Sequence, residues 1–280
     1  MGDRRDLVWA ALAFGGVCAV NAVTGASGLA SWERRVFAAP ALSALLAFFL
    51  VGLCVLAAAR LTPTQAGLNA SQPARWLEIG CMALGVLGPI GGMAFGVAGD
   101  PRHAPGAWII LVAQLLCLPL LGVFLRKTRR VEQASGTHVV AGLLAAVAVT
   151  VVAMAALAPA LPAAARALHL LHLLVLVGIG EELVFRGVVQ GLLDRSWGMP
   201  WRVWGADVGW GWLVQALLFG LVHPLVAGDP GLWPWGLWTA ASGLCFGWLR
   251  ARSGTILAPA MVHGVTDAIG LVLVPLLVMS

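Results

Sequence analysis

Residues 168–193 read LHLLHLLVLVGIGEELVFRGVVQGLL, and this stretch decides the class of the protein. It is apolar and long enough to cross a bilayer, which takes about 20 residues of α-helix. Near its middle stand two adjacent carboxylates, Glu181 and Glu182. A charged side chain at the centre of a membrane helix costs roughly 2.5 to 3.5 kcal/mol. The pair therefore predicts a functional site inside a membrane helix.

The apolar character extends along the whole chain. Hydrophobic residues make up 60% and charged residues 10% of the 280 residues, and the mean hydropathy is +0.93, which excludes a soluble globular domain. We predict an all-α, polytopic bundle of about eight to nine transmembrane helices, depending on whether one segment lies in the interface. The predicted spans are residues 7–25, 36–59, 79–97, 107–125, 139–161, 168–193, 208–227, 232–249 and 256–279.

The positive charges predict the orientation. With the N-terminus in the cytoplasm, most of the seventeen Lys and Arg residues fall on the cytoplasmic side, as the positive-inside rule requires. The net charge of +5 is then a topology signal, and no nucleic-acid partner is needed to explain it. The preference for arginine over lysine suggests a bacterial protein, so we expect the inner membrane. The cytoplasmic residues would be Arg4, Arg5, Arg60, Arg75, Arg126, Lys127, Arg129, Arg130, Arg195, Arg202, Arg250 and Arg252.

Helical spacing gives the two glutamates different roles. Glu182 and Arg186 are four residues apart, so they lie on one face and can form an ion pair that lowers the cost of both charges. Glu181 points about 100° away from Glu182 along the 3.6-residue turn. It lacks that partner and is left free to accept a proton.

Two later spans each contribute a histidine in an apolar context. Phe219 and His223 are four apart on the seventh span, and His263 and Asp267 are four apart on the last. Asp267 can therefore accept from one ring nitrogen of His263 and fix its tautomer. Our span boundaries place His223 nearer the outer end of its helix than the other residues, but a shared site requires similar depth, and we give the motifs more weight.

Two histidines precede the glutamates on the same span. His172 is nine residues from Glu181, which in a regular α-helix places it on the opposite face, and His169 is farther still. We expect a packing or interfacial role for both.

The three motifs together resemble a known family. Glu181-Glu182-x-x-x-Arg186, Phe219-x-x-x-His223 and His263-x-x-x-Asp267 are similar, in order and in setting, to the motifs of the CaaX-processing, Rce1-like and bacteriocin-processing intramembrane proteases, often called the CPBP or ABI group. The resemblance covers about residues 168–273. It implies an Rce1-like catalytic core at 167–280, while residues 1–166 form transmembrane helices of unassigned function within the same membrane domain.

The resemblance also implies roles for these residues. Glu181 would activate a water molecule with help from His223, while His263 and Asp267 would bind the oxyanion, and Glu182 paired with Arg186 would hold the helix in place. Asp267 stands where the best-known members have asparagine. Because an ionised aspartate cannot donate to an oxyanion, we expect Asp267 to orient His263, which would be the donor.

Metal dependence stays open at this point. Glu181, His223 and His263 could hold Zn²⁺ with one open position. We favour a metal-free glutamic peptidase without a cofactor, because no second carboxylate is clearly free to complete a tight site.

The sequence thus predicts an intramembrane endopeptidase that cleaves a membrane-anchored peptide or protein tail, such as a CaaX-like tail, a C-terminal sorting signal, or a bacteriocin or signal peptide. One alternative is a protease-like binding or bacteriocin-immunity protein. A proton-coupled transporter is the other, although the chain shows no internal repeat.

Overall fold

The computed structural model describes residues 3–126, 128 and 165–270. Within these ranges the chain forms nine helices and one short β-hairpin, in which β1 (Trp201–Val203) pairs antiparallel with β2 (Ala206–Val208). The helices are α1 (Arg4–Ala26), α2 (Leu29–Phe37), α3 (Ala41–Ala58), α4 (Pro73–Ala98), α5 (Gly106–Leu125), α6 (residues 165–197), α7 (Trp210–Ala227), α8 (Trp233–Ser253) and α9 (Leu257–Ala268).

Six of the described helices are long and apolar enough to cross a membrane, namely α1, α3, α4, α5, α6 and α7. The prediction of an all-α, polytopic helix bundle is confirmed, and the protein is an integral membrane protein. The predicted span 139–161 and the last nine residues of the span 256–279 lie outside the described residues. The exact number of spans therefore stays a prediction.

The predicted span 36–59 begins later than expected, because Val36 belongs to the separate helix α2. Ala38 adopts a left-handed conformation with φ of 59° and ends α2, and α3 starts after Pro40. The buried Glu33 of α2 then accepts a hydrogen bond of 3.2 Å from the backbone N–H of Ser43. This carboxylate satisfies a backbone donor in the first turn of α3, which has no side-chain cap of its own.

α6 departs from regular α-helical geometry on both sides of the two glutamates. Residues His172–Val177 and Leu183–Val189 are π-helical, and Gly178–Glu182 between them is α-helical. A π-helical stretch changes which side chains share a face, and such stretches are frequent at functional sites. Face assignments that count 3.6 residues per turn from one side of a π-helical stretch to the other therefore fail.

α6 and α9 touch backbone to backbone. A Cβ atom at Gly264 would lie 2.9 Å from the Cα of Leu174, and one at Gly178 would lie 2.9 Å from the carbonyl oxygen of Ala260. Both distances are too short for a real side chain. Small residues allow such close approach between membrane helices. The contact brings His263, next to Gly264, against the glutamates of α6.

Replacing Gly264 with leucine is expected to force α6 and α9 apart. Overpacking of this kind typically costs about 1 to 3 kcal/mol, so the free energy of unfolding in detergent should fall by that amount. Gly85→Leu is the matched control, since Gly85 lies on an exposed face of α4 with nothing within 4 Å of its Cβ position. Equal unfolding midpoints for the two variants would contradict the close contact.

Ion pairs join several helices at the end of the bundle that carries the N-terminus. Arg195 donates to Asp6 at 2.6 Å and to the backbone oxygen of Ala59, which links α6 to α1 and to the end of α3. Arg250 of α8 donates to Asp194 at 3.0 Å. The opposite end of the bundle therefore holds α2, the 99–105 loop and the start of α6.

Candidate functional site

The site begins with an ion pair inside α6. Arg186 Nη1 donates to Glu182 Oε1 at 2.8 Å, and both side chains are 0% exposed. This is the contact that the four-residue spacing predicts. Two charges can be buried in the apolar interior because each lowers the free-energy cost of burying the other.

Aromatic rings surround the rest of the guanidinium group. The Arg186 carbon Cζ lies 4.1 Å from the ring centroid of Phe219 on α7 and 5.2 Å from that of Phe246 on α8. Nε and Nη2 of Arg186 are buried without a hydrogen-bond partner among the described residues. Cation–π contact with Phe219 thus takes the place of polar partners and ties α6 to α7.

Glu182 has a second partner that helical spacing could not reveal. His263 Nδ1 lies 2.9 Å from the same Glu182 oxygen that binds Arg186. A carboxylate only accepts, so Nδ1 carries a proton and donates it. The result is a buried chain from Arg186 through Glu182 to His263, and it fixes the orientation of the imidazole ring.

The other ring nitrogen of His263 faces two carboxylates. Nε2 lies 3.9 Å from Glu181 Oε2 and 3.5 Å from Asp267 Oδ2. Glu182 is therefore the carboxylate that lies at normal hydrogen-bond length from a His263 nitrogen. The sequence pattern predicts instead that Asp267 orients the ring. Asp267 is 30% exposed and stands on the open side of the ring.

Glu181 differs from its neighbour in its surroundings, as the face argument predicts. It accepts no hydrogen bond from any residue within the described ranges, and its nearest charged partner is His263 at 3.9 Å. Its side chain is 14% exposed and lines a cavity. This carboxylate is thus available to a molecule inside that cavity.

His223 is positioned by its own helix. Its Nδ1 lies 2.7 Å from the backbone oxygen of Phe219, four residues earlier. Since a carbonyl oxygen only accepts, Nδ1 is the donor, and in a neutral ring Nε2 is left as an acceptor. The ring also packs edge to face against Trp235 of α8, with ring centroids 4.8 Å apart.

One cavity of about 780 Å³ connects these groups. It is lined by Glu181, His223, His263 and Asp267, among others, so residues of α6, α7 and α9 face one common space. The span boundaries suggested different depths for His223 and His263, yet both rings contact Phe219, with ring centroids 5.2 and 5.7 Å from its centroid. Glu182 and Arg186 are not among the lining residues and lie behind the cavity wall.

His169 and His172 line the same cavity, although regular helix geometry places His172 on the face opposite Glu181. The π-helical stretch His172–Val177 lies between the two residues and shifts the angular register. The prediction that His172 lies on the face opposite Glu181 was wrong, while a packing or interfacial role for the two histidines stays a prediction. Nothing in the apolar pattern of the sequence marks this stretch as π-helical.

The cavity reaches the end of the bundle opposite the Asp6–Arg195 pair. Arg34, Asp100 and Arg102 line it there, next to Trp235 and Trp238 at the start of α8. The backbone N–H of Arg102 and the His103 ring donate to Asp100 and lower its pKa. The cavity thus has an acidic and imidazole-rich inner part and a mixed, charged outer part.

The possible zinc ligands Glu181, His223 and His263 do not form a metal-binding group in the structure. No three His, Cys, Asp or Glu side chains in the described part of the chain form a group that could hold one. In this arrangement Glu181, His223 and His263 line a cavity together without converging on a common point. The described residues do not fit a zinc site as they stand.

The comparisons with known proteins point to one family. Residues 163–269 match the family model described as type II CAAX prenyl endopeptidase Rce1-like, and the match includes all three motifs. The resemblance read from the sequence is therefore confirmed over this segment. No match was found among curated proteins or among solved structures.

Proposed function

We propose that this protein is a glutamic intramembrane endopeptidase. Its C-terminal segment matches the Rce1-like family, and this match indicates a membrane protease that acts on membrane-anchored substrates. Its substrate is a membrane-anchored peptide or protein tail. One observation carries the proposal: Glu181, without a hydrogen bond among the described residues, shares a cavity with His223 and His263. An acid and two imidazoles around one space can supply the general base and the hydrogen bonds that promote hydrolysis of a peptide bond.

Glu181 acts as the general base. It takes a proton from a water molecule while the water oxygen attacks the carbonyl carbon of the scissile peptide bond. The same proton then passes from Glu181 to the nitrogen of the leaving amine and the C–N bond breaks. The second proton of the water stays on the new carboxyl group, so a carboxylic acid and an amine leave, and the acid then gives its proton to the amine in water. Nε2 of His223 accepts a hydrogen bond from the attacking water and orients it.

His263 stabilises the oxyanion. In our proposal the ring carries protons on both nitrogens: Nδ1 donates to Glu182, and Nε2 donates to the negative oxygen of the tetrahedral intermediate. Asp267 sits beside Nε2 at 3.5 Å and helps to stabilise the charged ring. Removal of one oxyanion donor typically lowers the rate by about 10²- to 10³-fold. The buried chain from Arg186 through Glu182 to His263 therefore supports catalysis by holding the His263 ring in place.

We propose further that the N-terminus lies in the cytoplasm of a bacterial inner membrane. The Arg195 and Arg250 end of the bundle then faces the cytoplasm, and the cavity opens on the other side. The substrate would reach Glu181 from that side.

The test is cleavage of a membrane-anchored peptide by the purified protein in lipid vesicles, read by mass spectrometry, with and without a metal chelator. We expect two products whose masses sum to substrate plus one water, formed equally in both arms because Glu181 acts without a metal. Loss of cleavage with the chelator would overturn the metal-free mechanism. Intact peptide in both arms, at full binding, would favour a binding or immunity role, and proton-driven solute uptake would favour a transporter.

A further inference from the structure

The guanidinium of Arg186 has one edge that the proposed reaction leaves unused. Nη1 donates to Glu182 and Phe219 covers one face, whereas Nε and Nη2 are buried and find no hydrogen-bond partner in the part of the chain that the structure describes. These two N–H groups lie side by side on one edge of the planar group. Buried donors are normally paired with protein or with ordered water, because an unpaired donor costs free energy. This edge therefore points to a bound ligand.

α6 and α7 pass each other in opposite directions next to this edge. Phe219 of α7 packs on Arg186 of α6, with the ring centroid 4.1 Å from Cζ. Eight residues earlier on α7 and eight later on α6, a Cβ atom at Gly211 would clash with Asp194 Oδ1. The layer between these two contacts is therefore filled by the residues that lie four positions from each contact on the two helices.

Two buried glutamines occupy this layer. Gln190 of α6 and Gln215 of α7 are both 0% exposed. A Cβ atom at Gly247 of α8 would clash with Gln215 Nε2 and would lie 3.1 Å from Gln190 Oε1, so the two amides meet at this glycine. They lie one helical turn from Arg186.

The amide nitrogens of both glutamines are already used. Gln215 Nε2 donates to the backbone oxygens of Trp212 at 3.0 Å and Gly243 at 2.9 Å, which uses both of its hydrogens. Gln190 Nε2 donates to the backbone oxygen of Gly247 at 3.4 Å. Since these partners only accept, they fix which end of each amide is the nitrogen. Both Oε1 atoms stay buried without a partner in the described ranges, so two acceptors match the two unused donors of the guanidinium.

One water molecule suits this set of two donors and two acceptors. Buried waters typically make about three, and at most about four, hydrogen bonds to polar groups that protein atoms leave unpaired. A helical turn rises about 5.4 Å, a distance that two hydrogen bonds of about 2.8 Å through one water cover. An anion would be repelled by the two amide oxygens, and a cation by the guanidinium. The chemistry of the site therefore favours a neutral molecule that both accepts and donates.

We propose that Arg186, Gln190 and Gln215 bind one ordered water molecule, which links α6 to α7 behind the cavity wall and holds the guanidinium in place. The water site itself is independent of the peptidase function. A second role rests on that proposed function: Gln190 and Gln215 are positioning residues, because Arg186 orients Glu182, and Glu182 orients the ring of His263.

An experimental structure of the protein in lipid nanodiscs, at a resolution that shows ordered water, tests the site directly. We expect one density peak within about 2.5 to 3.2 Å of Arg186 Nε and Nη2 and of both glutamine oxygens. The double variant Gln190→Met with Gln215→Met has no acceptor left, and the peak should be lost. Direct hydrogen bonds from Arg186 to the glutamines, or no peak between them in the wild type, would overturn the water site.

Cleavage of a membrane-anchored peptide by Gln190→Met tests the positioning role. We expect kcat to fall by roughly 10- to 100-fold, since a displacement of about 1 Å in a catalytic group can lower the rate by about 10²-fold. KM should stay unchanged, because Gln190 is not among the residues that line the cavity.

Leu192→Met is the matched control. It places the same side chain at another fully buried position of α6 but removes no amide, so it should keep the wild-type kcat. A Gln190→Met protein with the wild-type kcat would overturn the positioning role. No cleavage by the wild type would defeat the peptidase function, and the density peak would then decide the water site alone.

Discussion

Replacing Glu181 with glutamine is expected to lower the rate of peptide cleavage by about 10²- to 10⁴-fold, the range that general acid–base catalysis contributes. Glutamine has the same shape but cannot take a proton from water. Because Glu181 accepts no hydrogen bond within the described ranges, the change removes no described hydrogen bond. The unfolding midpoint in detergent should therefore match that of the wild type. The measurement is kcat/KM for a membrane-anchored peptide in vesicles.

Glu78→Gln provides the matched control. Glu78 is also a glutamate in a membrane helix, but it is exposed on α4, near the start of that helix. This variant should cleave at the wild-type rate. A Glu181→Gln protein that retained wild-type cleavage would exclude Glu181 as the base and, with it, the proposed mechanism.

Arg186→Met is expected to cost about 3 to 5 kcal/mol of stability, since it leaves Glu182 charged and buried without its strongest partner. Both side chains are 0% exposed, so water cannot replace the lost interaction. The free energy of unfolding in detergent is the measurement. Cleavage should also fall, because Glu182 positions His263.

Two further variants separate the ion pair from other effects. Arg202→Met removes a pair with Asp207 whose side chains are 76% and 45% exposed, and the loss should stay below about 1 kcal/mol. In the double variant Glu182→Gln with Arg186→Met, part of the lost stability should return because no buried carboxylate is left without its arginine. An Arg186→Met protein as stable as the wild type would show that the pair contributes nothing.

Local spacing explains what the sequence could predict. The span around Glu181 follows from its apolar length, and the pairing of Glu182 with Arg186 follows from a four-residue step on one helix. The position of Glu181 outside the ion pair follows from the 100° turn between neighbours. All of these depend only on residues within one helix.

What the sequence did not predict depends on contacts between helices or on irregular geometry. The hydrogen bond from His263 to Glu182 spans 81 positions and is set by the glycine contact of α6 with α9. The place of His172 in the cavity depends on a π-helical stretch. The β1–β2 hairpin was missed because its strands are only three residues long, too short for an alternating pattern to stand out.

The close contact between Gly178 of α6 and Gly264 of α9 affects how these helices respond to bilayers of different thickness. Membrane helices tilt when the thickness of the hydrocarbon core does not match their apolar length. Because α6 and α9 meet without side chains between them, they must tilt as one rigid body. Glu181 and His263 then keep their separation in thin and thick bilayers alike, and lipid chain length changes how deep the reacting groups lie without pulling them apart.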